Sequence, residues 1–350
     1  MSRYSVHSGF FIFILAILGN LSMTSDTHRI IRAIQLSGLA QGTTWHASYF
    51  YSDSAVTQNQ VDSILKVIDS SLSLYKPYST IVAFNKSITG LKIDKHFRNV
   101  VEKSLDTYRR TGGLSDITVG ALVDAWGFSA HPDSKIPSDS LLKKLLPCVG
   151  SGNILIRNDS LIKLKPCVRI DVNGIAQGYS VDVIASFFES RGIANYIIEL
   201  GGELRVRGKK QPGDLPFRIG IESPSGDDFS LPPMQQIISL DSGAITTSGN
   251  YRKYHENKGK RYSHIINPST GKSADNEMIS ATVYAADAIT ADAYDNALML
   301  MGANNAIKFI EKRIDLAAFI IYKRKDGTLA DTASTRFRKL ILRTDTIEKN

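Results

Sequence analysis

"RIDVNGIAQGYSVDVIASFFESRG", residues 169–192, holds both periods of regular structure in one short stretch. Val168 and Ile170 bring a strand up to Asp171. Ala176, Tyr179, Val183, Ile184, Phe187 and Phe188 then recur at three- and four-residue spacing, which predicts an amphipathic helix over 174–191. Where one turns into the other stand Asp171, Asn173, Gly174 and Gly178: an acid, an amide and two positions without side chains. An ordinary turn needs a single cap residue, and Asp171 read alone serves equally as that cap. The extra pieces suit a ligand at the helix mouth. Unpaired N–H groups and positive potential there receive phosphate, and glycine lets a ligand or metal approach the backbone. The glycines lie four apart and no Lys-Ser/Thr pair follows, so neither G-x-G-x-x-G nor a P-loop is present.

Outward from this stretch, runs of strands carry inserted helices. "LAQGTTWHASYFY" reads as an alternating strand. "NQVDSILKVIDSSLSLY" reads as a helix with Ile64, Val67, Ile68 and Leu72 on one side, and "HFRNVVEKSLDTYRRTGG" as a helix stopped at Gly112-Gly113. Beyond residue 192, "NYIIEL" and "ELRVRG" make a strand pair across Gly201-Gly202. "FRIGIES", "QQIISL", "GAITTSG" and "ISATVYA" add short strands, and a last long helix begins near Thr290. There is no internal repeat, no low-complexity linker and no strict strand–helix–strand alternation. The pattern predicts an α+β fold, a single domain over residues 30–345 of short, mostly antiparallel strands with inserted helices.

At 350 residues and 43% apolar content the chain can bury one large core or two ordinary ones. Its net charge of +8 is mild, and the basic C-terminal runs "YKRKDG" and "TRFRKLILR" read as a solvated face. They do not set basic residues and aromatics together on one face, so no nucleic-acid partner is expected. At the N-terminus Arg3 precedes an apolar run from Phe10 to Leu18, the length of a signal-peptide core and short for a bilayer span. Residues 1–24 are expected to be a signal peptide cut between Gly19 and Ser25, or else an N-terminal membrane anchor through which the protein associates with the membrane. Asn20 stands where a lipoprotein needs cysteine. The expectation is therefore an exported protein, periplasmic or attached to the cell envelope, without a cysteine-linked lipid. Cys148 and Cys167 flank a predicted hairpin, strands 153–157 and 161–165 about a turn at Asn158-Asp159. The hairpin brings them near one another in an oxidising compartment, but its register is a residue or two off ideal, and the pairing stays open.

Three further segments carry polar side chains in informative patterns. "AITADAYDNALMLMG" puts Asp292 and Asn296 four apart on one helical face, two oxygen donors suited to a hard cation such as Mg2+ or simply a polar helix start. His264 follows a strand-like stretch and precedes the Asn-Pro-Ser-Thr-Gly turn, a placement that fits a general base or phosphate contact as well as a structural histidine. In "GGLSDITVGALVDAWGF", Asp116 and Thr118 enter a helix ending at Trp126-Gly127-Phe128. A serine hydrolase is excluded in practice: G-x-S-x-G is absent, and "SILK", "SLLK" and "SLIK" occur without companion motifs.

Taken in order, "GTTWHASYF", "SLYKPYSTIVAFN", "GGLSDITVGALVDAWGF", "RIDVNGIAQGYSVD", "IIELGGELRVRG", "TTSGNYRKY", "SHIINPSTGK" and "ADAYDNALMLMG" resemble the ApbE family, the FAD:protein FMN transferases, over nearly all of the chain after residue 40. The resemblance implies FAD as substrate with Mg2+ on its pyrophosphate. It also implies transfer of FMN to a threonine hydroxyl of an acceptor protein, such as an electron-transfer or respiratory complex subunit, with release of AMP. Carried over, Asp292 and Asn296 would hold the metal with the Gly174 carbonyl. Gln41, Tyr75, Ser115, Asp116, Ile117, Asp171, Gln177, His264 and Ile265 would line the FAD site. His264 and Asp292 would be the catalytic pair. Gln41, Gln177, Asn267 and Asn296 depart from the family's usual residues at those places. Two competing readings remain: hydrolysis of FAD to FMN and AMP, and an exported FAD-binding protein without catalysis.

Overall fold

The computed structural model describes residues 31–52, 55–129, 136–222, 234–250, 254–257 and 260–342. The signal or anchor segment 1–24 and both ends of the expected domain, residue 30 and residues 343–345, lie outside them. The chain opens with β1 (Arg32–Ala40) and β2 (Thr43–Tyr51), then α1 (Gln58–Leu72), α2 (Thr80–Lys86), β3 (Gly90–Lys92) and α3 (Lys95–Arg110). Next come α4 (Gly120–Ala125), α5 (Asp139–Leu145), β4 (Ile154–Arg157), β5 (Ser160–Lys163), α6 (Ala176–Ser190), β6 (Tyr196–Leu200) and β7 (Glu203–Arg207). The rest runs β8 (Phe217–Glu222), β9 (Met234–Leu240), β10 (Ser242–Gly249), β11 (Tyr254–Asn257), β12 (Lys260–Ser263), β13 (Met278–Ala285), α7 (Ala288–Met301), α8 (Ala303–Glu311), β14 (Ala317–Lys323), β15 (Leu329–Ala333) and α9 (Thr335–Arg338).

Eight strands form the main sheet in the order β1-β2-β6-β7-β10-β13-β14-β15. Every pairing in it is antiparallel, as the α+β expectation required. One face is covered by helices: Ala281, Val283, Ala318 and Ile320 pack on Tyr294 and Leu298 of α7 and Ile310 of α8. Beside them Ala47, Tyr49, Tyr196 and Ile198 pack on Ile184 and Phe188 of α6. The opposite face meets the β8–β9 hairpin and α9 through Leu204, Val206, Phe217, Ile219, Phe319 and Phe337. A fourth cluster joins α1, α2, α3 and the β3-β5-β4 sheet to the segment 168–175. Each large apolar side chain buried this way contributes about 1.5–3 kcal/mol, so segment 168–175 is anchored by Val168, Ile170, Val172 and Ile175, all buried.

Several sequence expectations shift. "LAQGTTWHASYFY" is the end of β1, a turn at Gln41-Gly42 and β2, because Gln41 takes a left-handed φ of 51° that breaks the strand. Val67 is 54% exposed, while Val61 and Leu65 join Ile68 and Leu72 in the core, so the buried stripe of α1 lies one position off the expected one. The last long helix, expected near Thr290, starts at Ala288; Gly302 (φ 74°) ends it, and the shorter α8 and α9 follow. The hairpin at Asn158-Asp159 forms, and Cys148 is disulfide-bonded to Cys167, with Cα atoms 5.5 Å apart.

Candidate functional site

Two clefts adjoin at Tyr75 and Asn173: an inner one where the 171–175 turn meets α7 and the segments 115–117 and 264–266, and an outer one between the β1–β2 turn, α1 and the start of α6. The inner one, of about 140 Å3, is lined by Ser115, Asp116, Ile117, Asp171, Gly174, His264, Ile265 and Asn296. The outer one, of about 1390 Å3, is lined by Gln41 and Gln177. Tyr75 and Asn173 border both. Of the candidate residues only Asp292 lines neither cleft; it is 3% exposed and accepts from the Gly178 amide behind the glycine turn.

The opening stretch explains that convergence. Helix α6 starts at Ala176, two residues later than expected, and Asp171 does not cap it. Instead Asp171 Oδ1 accepts from the Asn173 amide at 2.8 Å, and the Asp171 amide donates to the Ile117 carbonyl at 2.7 Å. The acid therefore shapes the 173–175 turn and ties it to the 115–117 loop. Gly178, inside α6, is a contact point. Its N–H donates to Asp292 Oδ2 at 2.8 Å, and a Cβ there would lie 2.5 Å from the Ala288 carbonyl oxygen. Gly178→Ala is expected to part the two helices, costing about 1–3 kcal/mol by overpacking. Denaturant melting measures it; an unchanged midpoint would show that the contact yields freely.

The metal candidates sit on the facing helix. Asn296 Nδ2 would lie 2.4 Å from a Cβ at Gly174, so this amide occupies the space a side chain would need. Its Oδ1 accepts from Ser248 Oγ at 2.7 Å. Turning the amide over presents oxygen to the Gly174 side and leaves Ser248 as acceptor from the nitrogen, so both orientations satisfy the serine. Burial pushes the Asp292 carboxyl up to about 7; the Gly178 amide works against this and the Asp182 charge adds to it. Asp295, 2% exposed, has Oδ1 without a partner among the described residues, and burial, then Asp292 and Glu203, raise it well above 3.8. Sequence reading passed over Asp295 and Ser248. The signal for Asp295 was available, since it stands three residues from Asp292 on the same helix.

On the opposite wall, Asp116 Oδ1 accepts from the Thr118 amide (2.8 Å), Thr118 Oγ1 (2.7 Å) and Ser151 Oγ (2.8 Å). Its Oδ2 is buried without a partner among the described residues, an acceptor left for a ligand. Burial raises the carboxyl against those hydrogen bonds. The Gly150 amide also donates to Thr118 Oγ1 at 2.7 Å, and the Cys148–Cys167 bridge holds this loop to the segment entering Asp171, which forms a lone bridge from Arg169 to Val119 in place of the expected strand. Reduction is expected to cost about 3 kcal/mol for a loop of this length. Melting with and without dithiothreitol measures it.

His264 follows β12 and borders the inner cleft, its ring edge-on to Phe128 with centroids 6.3 Å apart. The turn beyond it is firm. Asn267 Oδ1 accepts from the amides of Ser269 (2.9 Å) and Thr270 (3.3 Å), and Trp126 Nε1 donates to the Gly271 carbonyl at 2.8 Å. Asn267 thus does turn-capping work that needs an acceptor oxygen and no charge. Gln41 Nε2 donates to Ser180 Oγ at 2.8 Å, and Gln177 packs on Gly201, whose Cβ would lie 2.7 Å from its Nε2. Tyr75 is 57% exposed, and burial of the rest of its ring, then Asp171, raises its hydroxyl pKa.

A model of the ApbE family matches residues 41–320. An FAD:protein FMN transferase of Vibrio cholerae is 34% identical over 335 residues, 93% of this chain and 98% of that protein. One from Escherichia coli K12 is 34% identical over 302 residues, 83% of this chain and 85% of that protein. Among solved structures, flavin transferase ApbE from Vibrio cholerae superimposes with a TM-score of 0.79 at 33% identity, covering 89% of this chain and all of that one. The apo form of Pseudomonas stutzeri flavinyl transferase ApbE gives 0.80 at 27% identity, covering 89% and 97%. Matched by the family model through most of its length and a third identical to such relatives almost end to end, the chain belongs to the ApbE family.

Proposed function

We propose that the protein is an FAD:protein FMN transferase, which moves the FMN half of FAD onto a threonine side chain of an acceptor protein and releases AMP. The observation that carries this reading is the meeting of the glycine turn with α7, where Gly174 faces Asn296 and Gly178 faces Asp292, on the wall of a cleft that also holds Asp116, Asp171 and His264. The relatives named for this reaction support it.

The donor set is one carboxylate, one amide and the Gly174 carbonyl, all oxygen. The oxygen donors suit Mg2+, which binds through one or two carboxylates and leaves other positions to water and substrate phosphate; among the described residues no group of three or more His, Cys, Asp and Glu side chains could hold a metal unaided. A buried carboxyl pushed up to about 7, with Gly178 N–H its one favourable contact and Asp182 a like charge, also fits a cation. Bound there, the ion would supply charge neutralisation on the diphosphate and the departing phosphate. His264 would accept the proton of the threonine hydroxyl. The threonine Oγ forms its bond to the FMN phosphorus as the phosphoanhydride bond to AMP breaks, and AMP leaves with the electron pair.

The acceptor we propose is a subunit of an electron-transfer or respiratory complex. Residues 1–24 we assign to export, as a signal peptide or membrane anchor, placing the domain from residue 30 to 345 in the periplasm or at the envelope. The Cys148–Cys167 bridge supports an oxidising compartment, and the N-terminal residue of protein recovered from the envelope tests the assignment. Among the described residues no helix is long and apolar enough to cross a membrane. The reaction is tested with FAD, MgCl2 and a threonine-bearing acceptor. The expected result is an acceptor heavier by one FMN unit with equimolar AMP, and no gain when that threonine is alanine. Free FMN and AMP with an unlabelled acceptor would make the protein a pyrophosphatase; bound FAD with no AMP would make it a carrier.

A further inference from the structure

Helices α6 and α7 meet along three rungs, each four residues from the next on both. Gly174, in the turn before α6, faces Asn296; Gly178 faces Asp292; Asp182 faces Ala288. The numbers rise on one side as they fall on the other, so the pair is antiparallel and keeps one register throughout. The first two rungs are close approaches: the Asn296 amide fills the space of a side chain at Gly174, and the Ala288 carbonyl excludes one at Gly178. The third is made by hydrogen bonds: Asp182 Oδ1 accepts from the Ala288 amide at 2.9 Å and Oδ2 from the Ile289 amide at 2.8 Å. Arg205 Nη1, from β7, donates to the same Oδ1 at 2.6 Å. Helix α7 has its own cap in Asp287, which takes the Thr290 amide at 2.9 Å. The first two amides are left over, and a carboxylate from the neighbouring helix takes both of them.

We propose that Asp182 is a positioning residue for the cation site, setting the height of α7 against α6 so that Asp292 and Asn296 come level with Gly174. The inference rests on the Mg2+ reading above. A helix rises about 1.5 Å per residue, so a slip of one residue would take Asp292 off the Gly178 amide. Glycine contacts resist approach without resisting sliding. The paired bonds from Asp182, braced by Arg205, do resist it.

The test compares wild type, Asp182→Ala and Asp182→Asn in two measurements, the Mg2+ dependence of AMP release from FAD and Mn2+ binding followed by electron paramagnetic resonance. Asp182→Ala is expected to raise half-saturating Mg2+ and the Mn2+ Kd by about tenfold or more, since a site whose donors are misaligned loses affinity in this range. The kcat at saturating Mg2+ is expected to return to within about threefold of wild type. Asp182→Asn, which keeps one acceptor, falls between. A merely structural role lowers the amplitude through the folded fraction and leaves the midpoint in place, and that outcome overturns the proposal. If Asp182→Ala does not fold, Asp182→Asn is read by the same criterion. A wild type that shows no metal dependence overturns the Mg2+ reading itself, a different result from equal midpoints in wild type and variant.

Discussion

Asp292→Ala is expected to lose about 10³-fold in Mg2+-dependent AMP release, the several kcal/mol that a bound ion supplies to a phosphoryl-transfer transition state. The loss should persist at high Mg2+. Full activity in this variant would remove the metal assignment. The same side chain gives a stability signature. Its folded-state pKa, about 7, lies above the ordinary 3.8. Between those values the folded protein binds more protons than the unfolded chain, so metal-free stability falls as pH rises from about 4 to 7. Asp292→Asn removes this residue's share of that fall, while the buried Asp295 keeps its own. Metal-free wild type and Asp292→Asn should melt together near pH 4, with the variant several degrees higher at pH 8. Added Mg2+ should raise the wild-type Tm and leave the variant's where it is. A wild type as stable as the variant at pH 8 without metal would show that the carboxyl is not penalised by its burial.

His264→Ala is the second large effect. A positioned base contributes about 10²–10⁴-fold, and the loss is expected in the rate of transfer to the acceptor, with FAD affinity changed by no more than a few fold. Single-turnover transfer and FAD titration separate the two. A loss confined to FAD binding would make His264 a ligand contact, in keeping with its place on the inner cleft wall beside Ile265.

The site was more legible than the sheet that carries it. Asp292 and Asn296 announce themselves through helical spacing, and Asp171, Gly174 and Gly178 through an excess of polar and small residues at a turn. Their joint meaning came only from the resemblance. What the sequence could not convey is the pairing across chain distance: that Gly178 lies against Asp292, or that Asp171 shapes the turn and ties it to Ile117 rather than capping α6. Strand β14, "AAFIIYK", escaped notice for a physical reason. Ala318 and Ile320 face the helices while Ala317, Phe319 and Ile321 face the β8–β9 side, so both faces are buried and no alternation survives to be read. Val67 failed in the opposite way. It matches the helical period, but the core lies one position around α1, and Ser71 is buried there instead.

The bridge between Cys148 and Cys167 bears on how this enzyme is prepared. Material made in a reducing cytosol and material harvested after secretion would share the same folded domain yet differ by one covalent bond behind the loop that holds Asp116. Kinetic constants from the two sources would describe two molecules, and a thiol count should accompany each batch.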